Sequence, residues 1–409
     1  MEVKSGYKQT EVGVIPEDWK ASTIGAEADL LTGFPFSSAN FVASGVRLLR
    51  GSNVKRGAID WGEDITKHWP WVTPQTQGYK LQDGDVVIAM DGALVGRSYA
   101  VITADDLPAL LVQRVARLRS HTTDLRLIGE WIGSQRFVRH VDSVKTHTAI
   151  PHISPRDIRG FGFSLPKERD EQRAIAEALS DVDGLLGGLD RLIAKKRDLK
   201  QAAMQRLLTG QTRLPGFHGE WELKTVSQMG MVVTGGTPST QNPAFWNGTT
   251  PWITPTDISN HRDMVDSERM ITEAGLRTIR SLPANSVLVT CIASIGKNAI
   301  LRTAGGCNQQ INAVVPKDSN DPEFLYYLFE RSKSFLLANA GITATNIISK
   351  ATFEQLSFAM PSPSEQRTIG EVLTKMDMEL AALEQRREKT RGLKQAMMQE
   401  LLTGKTRLV

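Results

Sequence analysis

Two histidines, His147 and His152, lie five residues apart in the stretch VKTHTAIPHISPR from Val144 to Arg156. Imidazoles this close can share a metal, but no Cys, Asp or third His at ligand spacing completes a set. A turn or a phosphate contact fits the pair better. The same stretch is dense in hydrogen-bond donors and bounded by proline. Lys and Arg position a duplex through its phosphates, while Asn, Gln, Ser, Thr and Arg can read base edges. On that basis the candidate contacts in the first part of the chain are Arg97, Gln113, Arg114, Lys145, His147 and His152. In the second part the corresponding stretch is GITATNIISK, which offers Thr343, Thr345, Asn346 and Lys350; Lys297, Asn298, Asn308 and Gln309 join them. Each has a structural alternative, because polar side chains in turns often satisfy backbone groups. Val144 to Arg156 also reads as a plain linker into a helix.

Other chemistry finds little support. Asn242-Pro243-Ala244-Phe245 resembles the Asn-Pro-Pro-Phe motif of amino-methyltransferases. That motif needs a glycine-rich cofactor loop in a strand–helix setting, and none precedes it. There is no Walker loop and no nucleophile elbow. No residue is assigned a catalytic role. The net charge of +4, from 49 Lys+Arg against 45 Asp+Glu, does not establish nucleic-acid binding by itself. One local excess stands out: Arg114, Arg117, Arg119, Arg126, Arg136 and Arg139 against Asp124 and Glu130. It reads equally as a binding surface or as a solvated strand and helix. The two cysteines, Cys291 and Cys307, are expected to be reduced. No apolar run is long enough to span a membrane, and Met1 to Thr10 lacks an apolar signal region, so a cytoplasmic location is expected.

The elements that must position these residues are set by a repeat. Lys200 to Leu214 (KQAAMQRLLTGQTRL) and Lys394 to Leu408 (KQAMMQELLTGKTRL) match at twelve of fifteen positions with an offset of 194. The same offset places Glu171-Gln172-Arg173 on Glu365-Gln366-Arg367. Between these anchors Ile175, Leu179, Val182, Leu186, Leu189 and Ile193 form a heptad seam, and Ile369, Leu373, Met376, Leu380 and Leu383 keep its spacing. Asp170 and Ser364 are the expected N-caps, and Gly210 and Gly404 the expected left-handed C-terminal residues. Each helix is then about 39 residues and roughly 59 Å long at 1.5 Å per residue. Two such seams should pack antiparallel. Gly187 and Gly188, aligned with Ala381 and Ala382, suggest close helix approach there.

Fainter matches extend the repeat. Ile15-Pro16-Glu17-Asp18-Trp19 corresponds to Leu214-Pro215 with Gly219-Glu220-Trp221, GDVVIAM from Gly84 to NSVLVTC from Asn285, and Ile153-Ser154 to Ile348-Ser349. Short apolar runs at 86–90, 110–115, 286–292 and 311–315 predict strands, and 125–141 and 322–337 predict short helices. The expected fold is α+β. Two mixed, β-rich domains (1–165 and 215–363) alternate with two long antiparallel helices (within 166–214 and 364–409), which form a coiled-coil spacer with cyclic pseudo-twofold symmetry. Two different readers held apart suit a bipartite, asymmetric duplex site, and the paired helices could dock two copies of one partner.

On these residues the chain resembles the specificity subunits of type I restriction–modification systems, over essentially its whole length. The resemblance is carried by the EQR-led helices and their LLTG-x-TRL ends. It continues in Val233-Thr234-Gly235-Gly236-Thr237-Pro238, Pro251-Trp252-Ile253-Thr254-Pro255, Ser294-Ile295-Gly296-Lys297, Asn308-Gln309-Gln310, Met90 to Arg97 and Leu110 to Arg119. It implies two target recognition domains on double-stranded DNA and a subunit that is not itself an enzyme. It also implies two adenine-N6 methyltransferase subunits on the helical scaffold and motor-nuclease subunits joining for cleavage. S-adenosylmethionine, ATP and magnesium would belong to those partners, with no cofactor or metal in this chain. The competing readings are a self-contained adenine methyltransferase using Asn242 and a coiled-coil adaptor without DNA reading.

Overall fold

A computed structural model describes residues 4–258, 262–341 and 346–408. The chain divides into two units, Met1–Leu189 with Arg386–Val409, and Asp190–Gln385. The α+β expectation holds. Both long helices form, Arg169–Leu207 and Pro363–Leu401, each of 39 residues. Each gives its N-terminal part to one unit and its C-terminal part to the other. Their pairing is antiparallel. In the second unit Lys196 meets Glu379 at 2.6 Å and Lys200 meets Asp377, while in the first Lys394 Nζ lies 2.6 Å from Asp183.

The two units repeat one topology. In the first, a four-stranded sheet runs Asp29–Thr32, Val115–Arg119, Val86–Ala89, Tyr99–Val101. In the second the order is Gly230–Thr234, Ile311–Pro316, Ser286–Thr290, Asn298–Leu301, with Asp263–Met264 added at the edge. A smaller sheet in each unit pairs one strand in parallel with the run before the last sheet strand: Val46–Leu49 with Ala109–Leu111, and Trp246–Ile253 with Gly306–Cys307. The predicted run 110–115 is two strands, because Gln113 and Arg114 form a tight connection in which Arg114 has φ +66°. Both predicted short helices split in two, at Ser134 and Ser332.

The repeated motifs meet each other. In the first unit Glu171, 2% exposed, accepts from Arg407 Nη2 at 2.8 Å and from Trp19 Nε1 at 3.1 Å. In the second, Glu365 accepts from Arg213 Nε and Nη2 at 2.6 and 2.7 Å. The start of one helix is thus locked to the residues after the end of the other. Gln172 and Gln366 extend the lock by accepting from the backbone N of Asp124 and Asp321, each at 3.1 Å. Gly210 and Gly404 both adopt φ +70°, as expected.

Three helix expectations need correction. Asp170 and Ser364 lie one residue inside their helices; Ser362 instead accepts from Glu365 N at 3.4 Å. A Cβ on Gly188 would meet nothing within 4 Å, and Ala381 and Ala382 are exposed, so small residues there do not mark close approach. The paired helices could dock a partner, but not through the seam residues, which face the chain's own core. Ile175, Leu179, Leu189, Ile193, Ile369, Leu373 and Leu380 are buried, and Val182, Leu186, Met376 and Leu383 half-buried. Those side chains fill cores and leave little surface for another protein.

Each domain is seated on its helices through a Lys–Asp pair. In the first unit Lys394 also meets Glu130 Oε2 at 2.8 Å; at the corresponding place in the second, Tyr327 donates to Asp377 Oδ2 at 2.6 Å. Burial pushes the Glu130 carboxyl up to about 7 despite the pull of Lys394. Its proton is therefore held more tightly in the folded state. The stability this contributes is complete below the ordinary value of 4.5 and is lost as pH rises through about 7. Glu130→Gln is expected to flatten the pH dependence of unfolding across that window, measured by denaturant titration. An unchanged slope would contradict this account.

Candidate nucleic-acid interface

Three segments of the first unit are laced together at one end of its main sheet. Met90 N donates to Arg114 O at 2.9 Å, Ile153 N to Met90 O at 2.9 Å, and Gly92 N to Pro151 O at 3.0 Å. These bonds bring the loop between the third and fourth sheet strands, the Gln113–Arg114 turn and the 145–153 segment side by side. Arg114 Nη1 lies 3.2 Å from Asp91, and Arg97 and Lys145 share Asp142 at 3.2 and 2.6 Å. Hydrogen bonding from Lys145 holds the Asp142 carboxyl below its ordinary range. His152 Nδ1 is 2.9 Å from Thr146 Oγ1, so that ring shapes the loop. His147 and Gln113 are exposed.

The second unit carries the same lacing. Cys291 N donates to Gln310 O at 2.8 Å, Ile348 N to Cys291 O at 2.9 Å, and Ala293 N to Asn346 O at 3.2 Å. Met90 therefore corresponds to Cys291, Arg114 to Gln310, Pro151 to Asn346 and Gln113 to Gln309. Gly96 and Gly296, at φ +80° and +85°, place Arg97 and Lys297 after equivalent turns. Gly33 and Gly235 close the lacing from below. A Cβ on either would sit 2.2 Å from the backbone of Val112, or of Cys307 and Asn308, so only glycine lets the chains pass.

Two other sequence candidates leave the set. Asn298 is buried and donates to Tyr326 O at 2.7 Å; Asn308 is buried and binds Gln310 at both its amide ends. Both build structure. Lys350 is exposed at the start of a short helix, 3.5 Å from Glu354. Thr343 and Thr345 lie outside the described residues. The arginine cluster is largely consumed internally: Arg117 by Asp29 at 2.8 Å, Arg119 by Asp85 at 2.7 Å, Arg126 by Asp124 at 2.8 Å, and Arg136 by Val12 O at 2.6 Å. Thr237, which donates to Gln309 Oε1 at 2.7 Å, was missed as a site residue although its VTGGTP segment was legible. Asn242 caps a single turn, accepting from Ala244 N at 3.1 Å, which gives the methyltransferase-like motif a local structural role. Both cysteines are buried and free, and no helix among the described residues is long and apolar enough to cross a membrane.

Residues 218–390 match the family described as the type I restriction modification DNA specificity domain. The matched stretch takes in Gln309, Lys297, Asp377 with its Lys200 pairing, and about the first two-thirds of the second long helix. The chain is 34% identical over 164 residues to the MjaIX specificity subunit of a type I restriction enzyme from Methanocaldococcus jannaschii, covering 39% of this chain and 38% of that one. It is also 34% identical over 169 residues to the EcoR124I/EcoR124II specificity subunit of Escherichia coli, covering 39% and 41%. Each of these matches spans well under half the relative's length. The fold likeness runs further: a crystal structure of a type I restriction-modification S subunit from M. genitalium aligns with TM-score 0.63 at 14% identity, covering 98% of both chains. The sheet order and the lacing found within the matched stretch recur in the first unit.

Proposed function

We propose that this chain is the non-catalytic DNA-reading subunit of a type I restriction–modification enzyme, with target recognition domains at 1–165 and 215–363 and spacer helices within 166–214 and 364–409. The observation that carries this reading is the repeated lacing, which sets Arg97 and Lys297, and Gln113 and Gln309, at equivalent places on two otherwise different surfaces. Cations there can position a duplex through phosphates and the amides can read base edges. Arg114, Lys145, His147, Asn346 and Lys350 complete the proposed contact surface. Because the two surfaces differ, the site read is bipartite and asymmetric.

Two methyltransferase subunits and motor-nuclease subunits would be the partners, carrying S-adenosylmethionine, ATP and magnesium, in the cytoplasm. Support for two copies of one partner comes from Leu199 and Leu393, which match at the repeat offset and are 48% and 56% exposed. Domain exchange tests the reading. With residues 1–165 replaced by the corresponding part of a relative, methylation mapping of cells that also express the methyltransferase should show one half-site changed and the other kept. An unchanged target would favour an adaptor, and methylation by this chain alone would favour a self-contained enzyme.

A further inference from the structure

Arg269 stands apart from the other arginines of the second domain. Its guanidinium carbon lies 3.8 Å from the ring centre of Trp246 and 5.3 Å from that of Trp252. The two indoles pack edge to face, centroids 5.1 Å apart, and both are at most 9% exposed. The platform is itself fixed: Trp246 Nε1 donates to Ser239 O at 3.1 Å and Trp252 Nε1 to Gly236 O at 2.8 Å. Ser267 ties the strands beneath it, accepting from Trp252 N at 2.9 Å and donating to Arg269 O at 2.8 Å. Arg269 remains exposed, and no carboxylate or carbonyl among the described residues accepts from its guanidinium.

The first domain supplies the contrast. Arg47 lies 4.7 Å from the Trp61 ring, but its Nη2 donates to Asp105 O and Leu107 O at 2.8 and 2.9 Å. That arginine is spent on its own fold. Carboxylates of the preceding segments are engaged elsewhere, and Glu273 pairs with Arg277 at 3.2 Å. Asp257 accepts from Thr254 and from Glu268 N, and Asp263 is tied to Arg262 and Arg302. A guanidinium stacked on an indole keeps its plane fixed and its hydrogen-bonding edge free, so little freedom remains to be lost when an acceptor pair arrives.

The platform adjoins the lacing. Gly236, which holds Trp252, donates to Cys307 O at 2.8 Å, and the next residue, Thr237, donates to Gln309 Oε1 at 2.7 Å. We infer that Arg269 is a DNA-contact residue of the second recognition domain, presenting a preset fork to a paired acceptor on the duplex; this rests on the DNA-reading function proposed above. The two duplex groups with that chemistry are a guanine O6/N7 edge and a phosphate.

The test uses the full chain reconstituted with its methyltransferase partner and a duplex bearing the target found by methylation mapping. Arg269→Met keeps the apolar stem on the indole and removes the fork; Arg269→Lys keeps the charge. Arg269→Met is expected to lose about 5- to 150-fold in affinity with an unchanged melting temperature. If the acceptor is guanine, the loss disappears on duplexes altered at one base pair of one half-site, and Lys does not restore it. If it is phosphate, the loss is uniform across sequences, the salt slope falls by about 1, and Lys restores much of it. Wild-type affinity in Arg269→Met at every salt, or a loss that only tracks a lowered melting temperature, overturns the inference while leaving the DNA-reading function intact. A wild-type complex with no sequence preference would instead sink the function itself.

Discussion

Glu171→Ala is expected to destabilise the first unit by about 3 kcal/mol or more, the range for removing one partner of a buried ion pair. The carboxylate is almost fully buried and serves two donors. Its loss strands the indole N–H of Trp19, at a cost of about 1–3 kcal/mol. Arg407 retains Asp18 at 2.7 Å and a side chain about one-third exposed, which limits the remaining loss. Glu365→Ala should cost less. Trp221 Nε1 has no hydrogen-bond partner to lose, and Arg213 keeps Gly219 O at 2.6 Å. Denaturant unfolding with a domain-specific probe would check both variants. Equal losses, or a loss under about 1 kcal/mol for Glu171→Ala, would contradict this account of the two Glu–Arg locks.

The second large effect concerns reading. Gln113→Ala should relax sequence preference in one half-site and Gln309→Ala in the other, each by about 5- to 150-fold, the value of one good bidentate base contact. Neither amide is needed for folding: Gln113 is exposed, and the exposed Gln309 side chain bonds, among the described residues, only with Thr237. Methylation mapping of cells carrying each variant, with the wild type alongside, would show which positions become degenerate. If both variants relax the same half-site, the equivalence of the two lacings has no functional meaning. If neither has an effect, the reading groups lie elsewhere on these surfaces.

The helices were readable from sequence because their determinants are local. A 3.5-residue seam, a glycine after the last apolar turn and a repeat offset of 194 need no knowledge of distant contacts. Both helices start one residue before the expected caps, and in the second Pro363 takes the first helical position, which puts the cap on Ser362 rather than Ser364. The seam was legible as a seam, but its use was not. Whether a heptad stripe faces a core or a partner depends on what packs against it, and here each unit brings strands and short helices of its own domain over Ile175, Leu179, Ile369 and Leu373.

The sequence by itself determined the repeat, the helix lengths and the β-rich character of the intervening domains. Only the tertiary structure decided which polar residues form a surface. Asn298 and Gln309 look alike as candidates, yet one is buried against Tyr326 O and the other stands at the surface beside Thr237. The difference arises from backbone bonds between segments tens of residues apart, such as Cys291 N to Gln310 O and Ile348 N to Cys291 O. It also explains why the arginine cluster read equally as a binding surface and as a solvated strand and helix. Arg117 and Arg119 meet Asp29 and Asp85 only once the strands are paired, which leaves their side chains 6% and 21% exposed, while Arg114 beside Asp91 keeps 65%.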